Sequence, residues 1–340
     1  MDKWLIDAYD AAMFDLDGVI YRGPEAVPGA AEAVAALRDR GLGIGFVTNN
    51  AARTPADVAR QLDHLGIPCA PSDVAVSSQA LARLMRRQLP RGASILVAGP
   101  PALCDEMRRA GFRLVIRHDL RPEAVVQGYH PELPWSLVDE ACLALADGAA
   151  WYATNADPTR PTERGDVPGA GSQVAILKAC FPEREPVIAG KPCTPLLDDM
   201  KTQLGSRRPI LVGDRIDTDV TGAVRAGIDS MLVLTGAHGK ADLVAAPLGQ
   251  RPTFLGWDVR GLVQPPRRAT SADATGSTWT CGQARARAAF DLVAQVEGPL
   301  TTWREQLDAL WALASLCWHW ADRRAVIDAE AALAQLTLVP

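Results

Sequence analysis

The sequence predicts an α/β protein built on a parallel sheet, with a second α/β segment inserted into it and a mainly helical C-terminal extension. Two patterns carry this prediction. Short apolar runs recur through most of the chain, each followed by a turn and a helical pattern, which is how the strand-helix units of a parallel sheet read. Beyond Gln264 that pattern stops: "QPPRRATSADATGS" reads as a linker by its Pro, Ser, Thr and Gly content, and the chain after it holds five of the nine tryptophans. With 340 residues, 48% of them apolar, the chain can bury two cores.

The first strand is "AAMFD", ending at Asp15, and the second is "LGIGFVTNN", Leu42 to Asn50. Between them Ala30 to Arg40 is rich in good helix formers and stops before Gly41. Thr54-Pro55 opens the next helix with proline in its favoured first turn, and Gly66 ends it after Leu65. A strand and helix follow over Val74 to Leu89. A second set begins at "ASILVAG", Ala93 to Gly99, and continues through "FRLVI", "EAVVQGY" and "AAWYATN" to the loop "ADPTRPTERGDVPGAGS" and a helix over Gln173 to Phe181. Strands resume at "EPVIAGKP", "PILVGDRIDTD" and "SMLVLTG". The expected organisation is a core of residues 1–80 and 185–264, an insert of 81–184, a linker of 265–277 and a Trp-rich helical region of 278–340. In that last region Thr302 and Glu305 form a capping-box pattern, Trp303, Leu307, Leu310, Trp311, Ala314 and Trp318 keep helical spacing, and a final helix is expected over Arg324 to Leu336. Such helices must pack on something, as a small appended domain or as the interface of a homo-oligomer.

Composition narrows the function. A net charge of -5 with no basic block gives no general attraction to nucleic acid or anionic membrane. No apolar run reaches the about 18 residues of a spanning helix, so a cytoplasmic protein is expected. The seven cysteines are odd in number and never spaced Cys-x-x-Cys, which makes reduced, unligated thiols the expectation.

In an open parallel sheet, functional groups collect beyond the carboxyl ends of the strands, where the loops converge. Four apolar runs end in chemically distinct groups: Asp15 and Asp17; Thr48 with Asn49 and Asn50; Lys191; and Asp214 with Asp217 and Asp219. Each alone reads as a turn, a strand-end hydroxyl or a loop acid. Acids, a hydroxyl and a cation in this joint order form a kit for magnesium-assisted phosphoryl transfer, where positioning and charge neutralisation do most of the catalysis.

"FDLDGVIYRG", "VTNN", "GKP" and "VGDRIDTD" resemble the four motifs of the haloacid dehalogenase (HAD) superfamily, over about Tyr9 to Leu262 and most like its NagD-like, nitrophenylphosphatase type. Thr48 follows Asp15 by 33 positions, too few for a folded insert, whereas 143 positions separate Thr48 from Lys191. The insert is therefore similar to a C2-type cap, and "YATNADPTRPTERGDVPGAGS" resembles the substrate-facing loop of such caps. The resemblance implies a Rossmann-like core and an aspartyl-phosphate mechanism with Asp15 as nucleophile and Asp17 as proton donor and acceptor. It implies Mg2+ held by Asp15, the carbonyl of Asp17 and Asp214, with Asp219 as a further or supporting ligand. Thr48 and the Asn49 amide would hold phosphoryl oxygens beside Asn50, Lys191 would balance charge, and Gly18 and Gly23 would bracket a mobile flap.

The extension resembles an addition found in bacterial glycerol 3-phosphate phosphatases of this type, which makes glycerol 3-phosphate the expected substrate. Phosphoglycolate, a nucleoside monophosphate and pyridoxal phosphate are the alternatives. The cap loop carries Asp157, Arg160, Glu163, Arg164 and Asp166, and with Asn155 its residues Asp157 and Arg160 are candidate contacts to a small polar leaving group. Tyr129 has no assigned role, and His130 is read as structural. A phosphoacceptor signalling domain shares the acids, threonine and lysine but needs neither Asp17 nor a cap. A binding protein working through its Trp-rich tail would not need the four motifs.

Overall fold

The computed structural model describes residues 3–160, 162, 164–165 and 167–340. The chain divides into two compact units, residues 1–44 with 206–340 and residues 45–205, and passes from one to the other within the strand Gly43–Thr48.

The first unit contains four parallel strands in the order Phe254–Gly256, Asp229–Val233, Pro209–Gly213 and Ala11–Phe14. Phe14 is level with Val212, so the ends of these two neighbouring strands, Asp15 and the residues from Gly213 onward, emerge together. These strands are buried on both faces and read as unbroken apolar runs. Their burial leaves only the carboxyl ends free to carry polar groups.

The extension adds a small sheet to the helices expected. Four antiparallel strands, Thr270–Ser271, Thr278–Cys281, Ala284–Ala288 and Ala294–Glu297, form a sheet in chain order. The first of them lies inside the expected linker, which is thus an edge strand and not a free tether. The sheet was hidden because alanine occupies its inward positions: Ala284, Ala286 and Ala294 are buried and alternate with exposed arginine and glutamine. Alanine scores poorly for strand and well for helix, so the period-2 pattern is easily overlooked.

The small alanine surface lets the helix Trp303–Ala321 lie close against the sheet. Its Leu307, Leu310, Leu313 and Leu316 join Ala286 and Val296 in a core that is continuous with Leu232, Leu243 and Leu255 of the parallel-sheet part. The tryptophans of the helix therefore pack on their own chain, and Trp318 Nε1 donates to the Leu243 carbonyl (3.1 Å).

The expected capping box is present: the Glu305 amide donates to Thr302 Oγ1 (3.3 Å) and the Thr302 amide to Glu305 Oε2 (2.8 Å). Thr302→Ala is expected to lower unfolding stability by about 1 kcal/mol without changing turnover, as read by denaturant titration. The last helix is shorter than expected, Glu330–Gln335. Before it Arg324 adopts φ 63°, which no α-helix accommodates, and Asp328 bridges to Val293.

The second unit has its own parallel sheet, ordered Val187–Ile188, Ala150–Ala153, Ala124–Gln127, Ser94–Ala98 and Arg113–Val115. Helices Trp135–Ala146 and Ala170–Cys180 cover it through Val138, Ala141, Leu145, Val174 and Leu177. In the same unit, Gly43–Thr48 pairs in parallel with Val74–Val76. The compact unit thus begins earlier and ends later than the 81–184 insert drawn from the sequence. None of the seven cysteines is in a disulfide, and among the described residues no helix is long and apolar enough to cross a membrane.

Candidate active site

In the first unit the acids converge. Carboxylate oxygens of Asp15, Asp214 and Asp219 lie within 4.8 Å of one another, with Asp214 and Asp219 only 3% and 1% exposed. Strand pairing places them. The Asp15 amide donates to the Val212 carbonyl (2.9 Å), continuing the register of the two strands to the point where Asp214 leaves the sheet. A π-helical turn, Ile216–Val220, then brings Asp219 back, and its Oδ2 accepts from the Arg215 amide (3.1 Å). Local π geometry of this kind commonly marks a functional site.

Three carboxylates this close repel one another strongly when water is excluded, so their ionised forms require a compensating charge. An all-oxygen donor set fits a hard divalent cation of the magnesium type. Asp217 stays outside the cluster, because Arg215 binds both of its oxygens (3.1 and 2.7 Å). The side chain of Asp17 is likewise not one of the three converging carboxylates.

Glycines make this crowding possible. A Cβ on Gly236 would sit 1.9 Å from Asp214 Oδ2, and one on Gly213 2.2 Å from Asp219 Cβ. Asp214 Oδ2 also accepts from the Ala237 amide (2.6 Å), so the glycine turn both admits and orients the carboxylate. Sequence reasoning passed over Gly213 and Gly236, although each stands at the end of an apolar run. Gly18, read there as a flap hinge, is buried, and its Cβ would meet Asp214 Oδ2 at 2.5 Å. Close approach demands that glycine. Gly23, at φ 55° with open space where a Cβ would stand, is the turn residue of the hairpin Tyr21–Arg22 with Glu25–Ala26.

In the second unit, Asn49 is the hub. Its Nδ2 donates to Asp157 Oδ1 (2.9 Å) and to the Lys191 carbonyl (2.9 Å), while its Oδ1 accepts from the Lys191 amide (2.8 Å). Its own carbonyl accepts from Ser77 Oγ (2.6 Å) and Asn155 Nδ2 (2.7 Å). Asn155 and Asp157 thus hold Asn49, and Ser77, which sequence reasoning missed, does the same from the start of the following helix. Thr48 lies beside this hub and is buried; its Oγ1 accepts from the Asn50 amide (3.1 Å). The exposed Asn50 side chain accepts from the Ala52 amide (2.9 Å), the bond of a local turn.

Lys191 is 2% exposed, a location where an ammonium is costly unless an anion faces it. Its Nζ donates to the Val47 carbonyl at a long 3.4 Å. Further along the cap loop, Arg160 Nη2 donates to Tyr129 Oη (2.8 Å) with its guanidinium 4.7 Å from the ring centroid, and its buried Nε finds no partner among the described residues. His130 shapes a turn, its Nδ1 accepting from the Glu132 amide (3.0 Å). Glu163 and Asp166 lie outside the described residues.

Residues 12–113 match the haloacid dehalogenase-like hydrolase family and residues 188–262 match the HAD-hydrolase-like family. D-glycerol 3-phosphate phosphatase of Mycobacterium tuberculosis is 42% identical over 262 residues, covering 77% of this chain and 73% of that protein. The chain is a haloacid dehalogenase-like hydrolase. Among these hydrolases it belongs with the NagD-like phosphatases: ribonucleotide monophosphatase NagD of Escherichia coli is 32% identical over 243 residues, 71% of this chain and 93% of its own. The crystal structure of a glycerol phosphate phosphatase from M. tuberculosis in complex with magnesium superposes with a TM-score of 0.80 at 34% identity, covering 99% of this chain and 98% of the other. That likeness takes in the C-terminal extension as well as the hydrolase part.

Proposed function

We propose that this phosphatase hydrolyses glycerol 3-phosphate to glycerol and phosphate in the cytoplasm, with residues 1–80 and 185–264 as catalytic core and 81–184 as specificity cap. The observation that carries the substrate is the similarity to a glycerol phosphate phosphatase along nearly the whole chain, extension included. Mg2+, held by Asp15, Asp214, Asp219 and the carbonyl of Asp17, would draw charge from the phosphoryl oxygens and let an anionic nucleophile approach an anionic ester.

The chain's own residues do the rest. An Asp15 oxygen attacks phosphorus, the ester P–O bond breaks, and the departing alkoxide takes the proton of Asp17. Asp17 then removes a proton from water, whose oxygen attacks phosphorus, breaks the bond to Asp15 and releases phosphate. Thr48 and the Asn49 amide hold phosphoryl oxygens in place, with the Asn49 network to Ser77, Asn155, Asp157 and Lys191 fixing the loop, and buried Lys191 supplies positive charge. Arg160, oriented by Tyr129 and with one donor to spare, supports recognition of a hydroxylated leaving group.

The test is a panel of phosphomonoesters assayed for kcat/KM, the ratio that measures specificity. Glycerol 3-phosphate is expected to lead phosphoglycolate, nucleoside monophosphates and pyridoxal phosphate. A lead for any of these would replace the substrate and keep the chemistry. EDTA is expected to abolish turnover of every ester, with recovery on adding Mg2+.

A further inference from the structure

A cleft of about 400 Å³ opens where the chain leaves the parallel-sheet part for the extension, lined by Gln264, Arg267, Arg268, Cys281, Arg304 and Asp308. It lies in the first unit and involves none of the acids of the candidate active site. Three guanidinium groups face a single carboxylate. Arg267 Nε donates to Asp308 Oδ1 (2.8 Å), which uses that carboxylate, and among the described residues no ion pair engages Arg268 or Arg304. Arg304 is instead set over the Trp303 ring, 5.2 Å from its centroid.

This local excess of positive charge stands in a chain whose net charge is -5, so it does not follow from general composition. A second cavity of about 120 Å³ adjoins the first, sharing Gln264 and Arg304 and walled by Trp257 and Trp303. Burial and the neighbouring Asp308 push the Cys281 thiol up to about 12, which keeps it protonated and makes this a place to bind and not to react.

We propose that this cleft binds a small polyanion carrying two or more phosphate charges, held by Arg268 and Arg304 with Arg267 fixed by Asp308. Guanidinium forks match phosphate oxygens in geometry and charge, and a cleft of this size holds a small metabolite. The second cavity offers the ligand's organic portion a tryptophan wall. The site gives the extension a task of its own, the sensing of a phosphorylated compound, and does not depend on which ester the enzyme hydrolyses.

The test uses the full chain in EDTA, so that no metal recruits phosphate to the acid cluster, titrated at low salt with inorganic pyrophosphate and separately with ADP by calorimetry. Saturable binding is expected. The double variant Arg268→Ser/Arg304→Ser should weaken it at least about ten-fold, the equivalent of one charge-assisted hydrogen bond. Both arginines are exposed, so the variant should keep its melting temperature and its Mg2+-dependent turnover of p-nitrophenyl phosphate. Equal affinity for the two probes assigns the binding to phosphate alone, and tighter ADP adds the tryptophan cavity. The proposal is overturned if neither probe saturates, or if the double variant binds them as the unaltered protein does.

Discussion

Asp15→Asn is expected to fold normally and to lose turnover by at least about 10^4-fold, the scale seen when a nucleophile that acts as part of a unit is removed. An amide oxygen is a far weaker nucleophile than a carboxylate, and the change also removes one anionic donor from the cluster of Asp15, Asp214 and Asp219. The same substitution relieves repulsion among three carboxylates packed within 4.8 Å. Without metal, the variant should therefore melt at or above the temperature of the unaltered protein. A fall in kcat beside an unchanged or raised Tm would separate catalytic from structural loss, since a merely misfolded variant would lose both. Retained activity would show that the nucleophile lies elsewhere.

Gly236→Ala is expected to reduce kcat by roughly 10- to 100-fold and to raise the Mg2+ concentration needed for half-maximal activity, as changes to the groups supporting metal ligands do. The new methyl would stand 1.9 Å from Asp214 Oδ2 and 2.4 Å from its Cγ, so the carboxylate must swing away from its partners. The backbone at Gly236 does not have the positive φ that would by itself strain alanine. Gly249→Ala is the control: its φ of 85° makes alanine strained, by about 1–2 kcal/mol, but no atom lies within 4 Å. That control should lower stability and leave the Mg2+ dependence alone. Steady-state rates across a Mg2+ titration distinguish the two.

The parts of the protein legible in the sequence are those whose signal is local. "AAMFD" and "PILVGD" announce buried strands by unbroken apolar runs, and an acid directly after each run has to sit at a carboxyl end of the sheet. Strand pairing then brings Asp15 beside Asp214, because neighbouring parallel strands deliver their ends to one edge. Asp219 is singled out as a ligand only by the family resemblance, and the π-helical turn that returns it to the cluster leaves no mark in the sequence.

What stayed hidden depends on partners far away in the chain. Asn155 and Asp157 are expected to contact substrate, and the structure adds a second use: Asn155 Nδ2 and the Asp157 carboxylate bond Asn49, more than a hundred positions earlier. Nothing in "YATNAD" itself distinguishes those two uses of a carboxylate and an amide. Gly18 shows the same limit: its φ of 82° is the freedom that a turn glycine suggests, but the crowding by Asp214 that also excludes a side chain there is invisible in the sequence. In the extension the alternation of "ARARA" was present but carried by alanine, whose burial is decided by the helix that packs on it.

The proposed mechanism turns on a covalent phosphoryl group at Asp15. The 340-residue chain mixed with Mg2+ and glycerol 3-phosphate, quenched in acid within a single turnover and digested for mass spectrometry, tests it most directly. Asp17→Asn loses both proton transfers, so it is loaded with p-nitrophenyl phosphate, whose leaving group departs without a proton, and should then prolong the intermediate. A phosphoryl group on the peptide containing Asp15, present transiently in the unaltered enzyme and longer in the variant, is the predicted result. Turnover of the ester with no phosphorylated Asp15 in either protein at any quench time would contradict it.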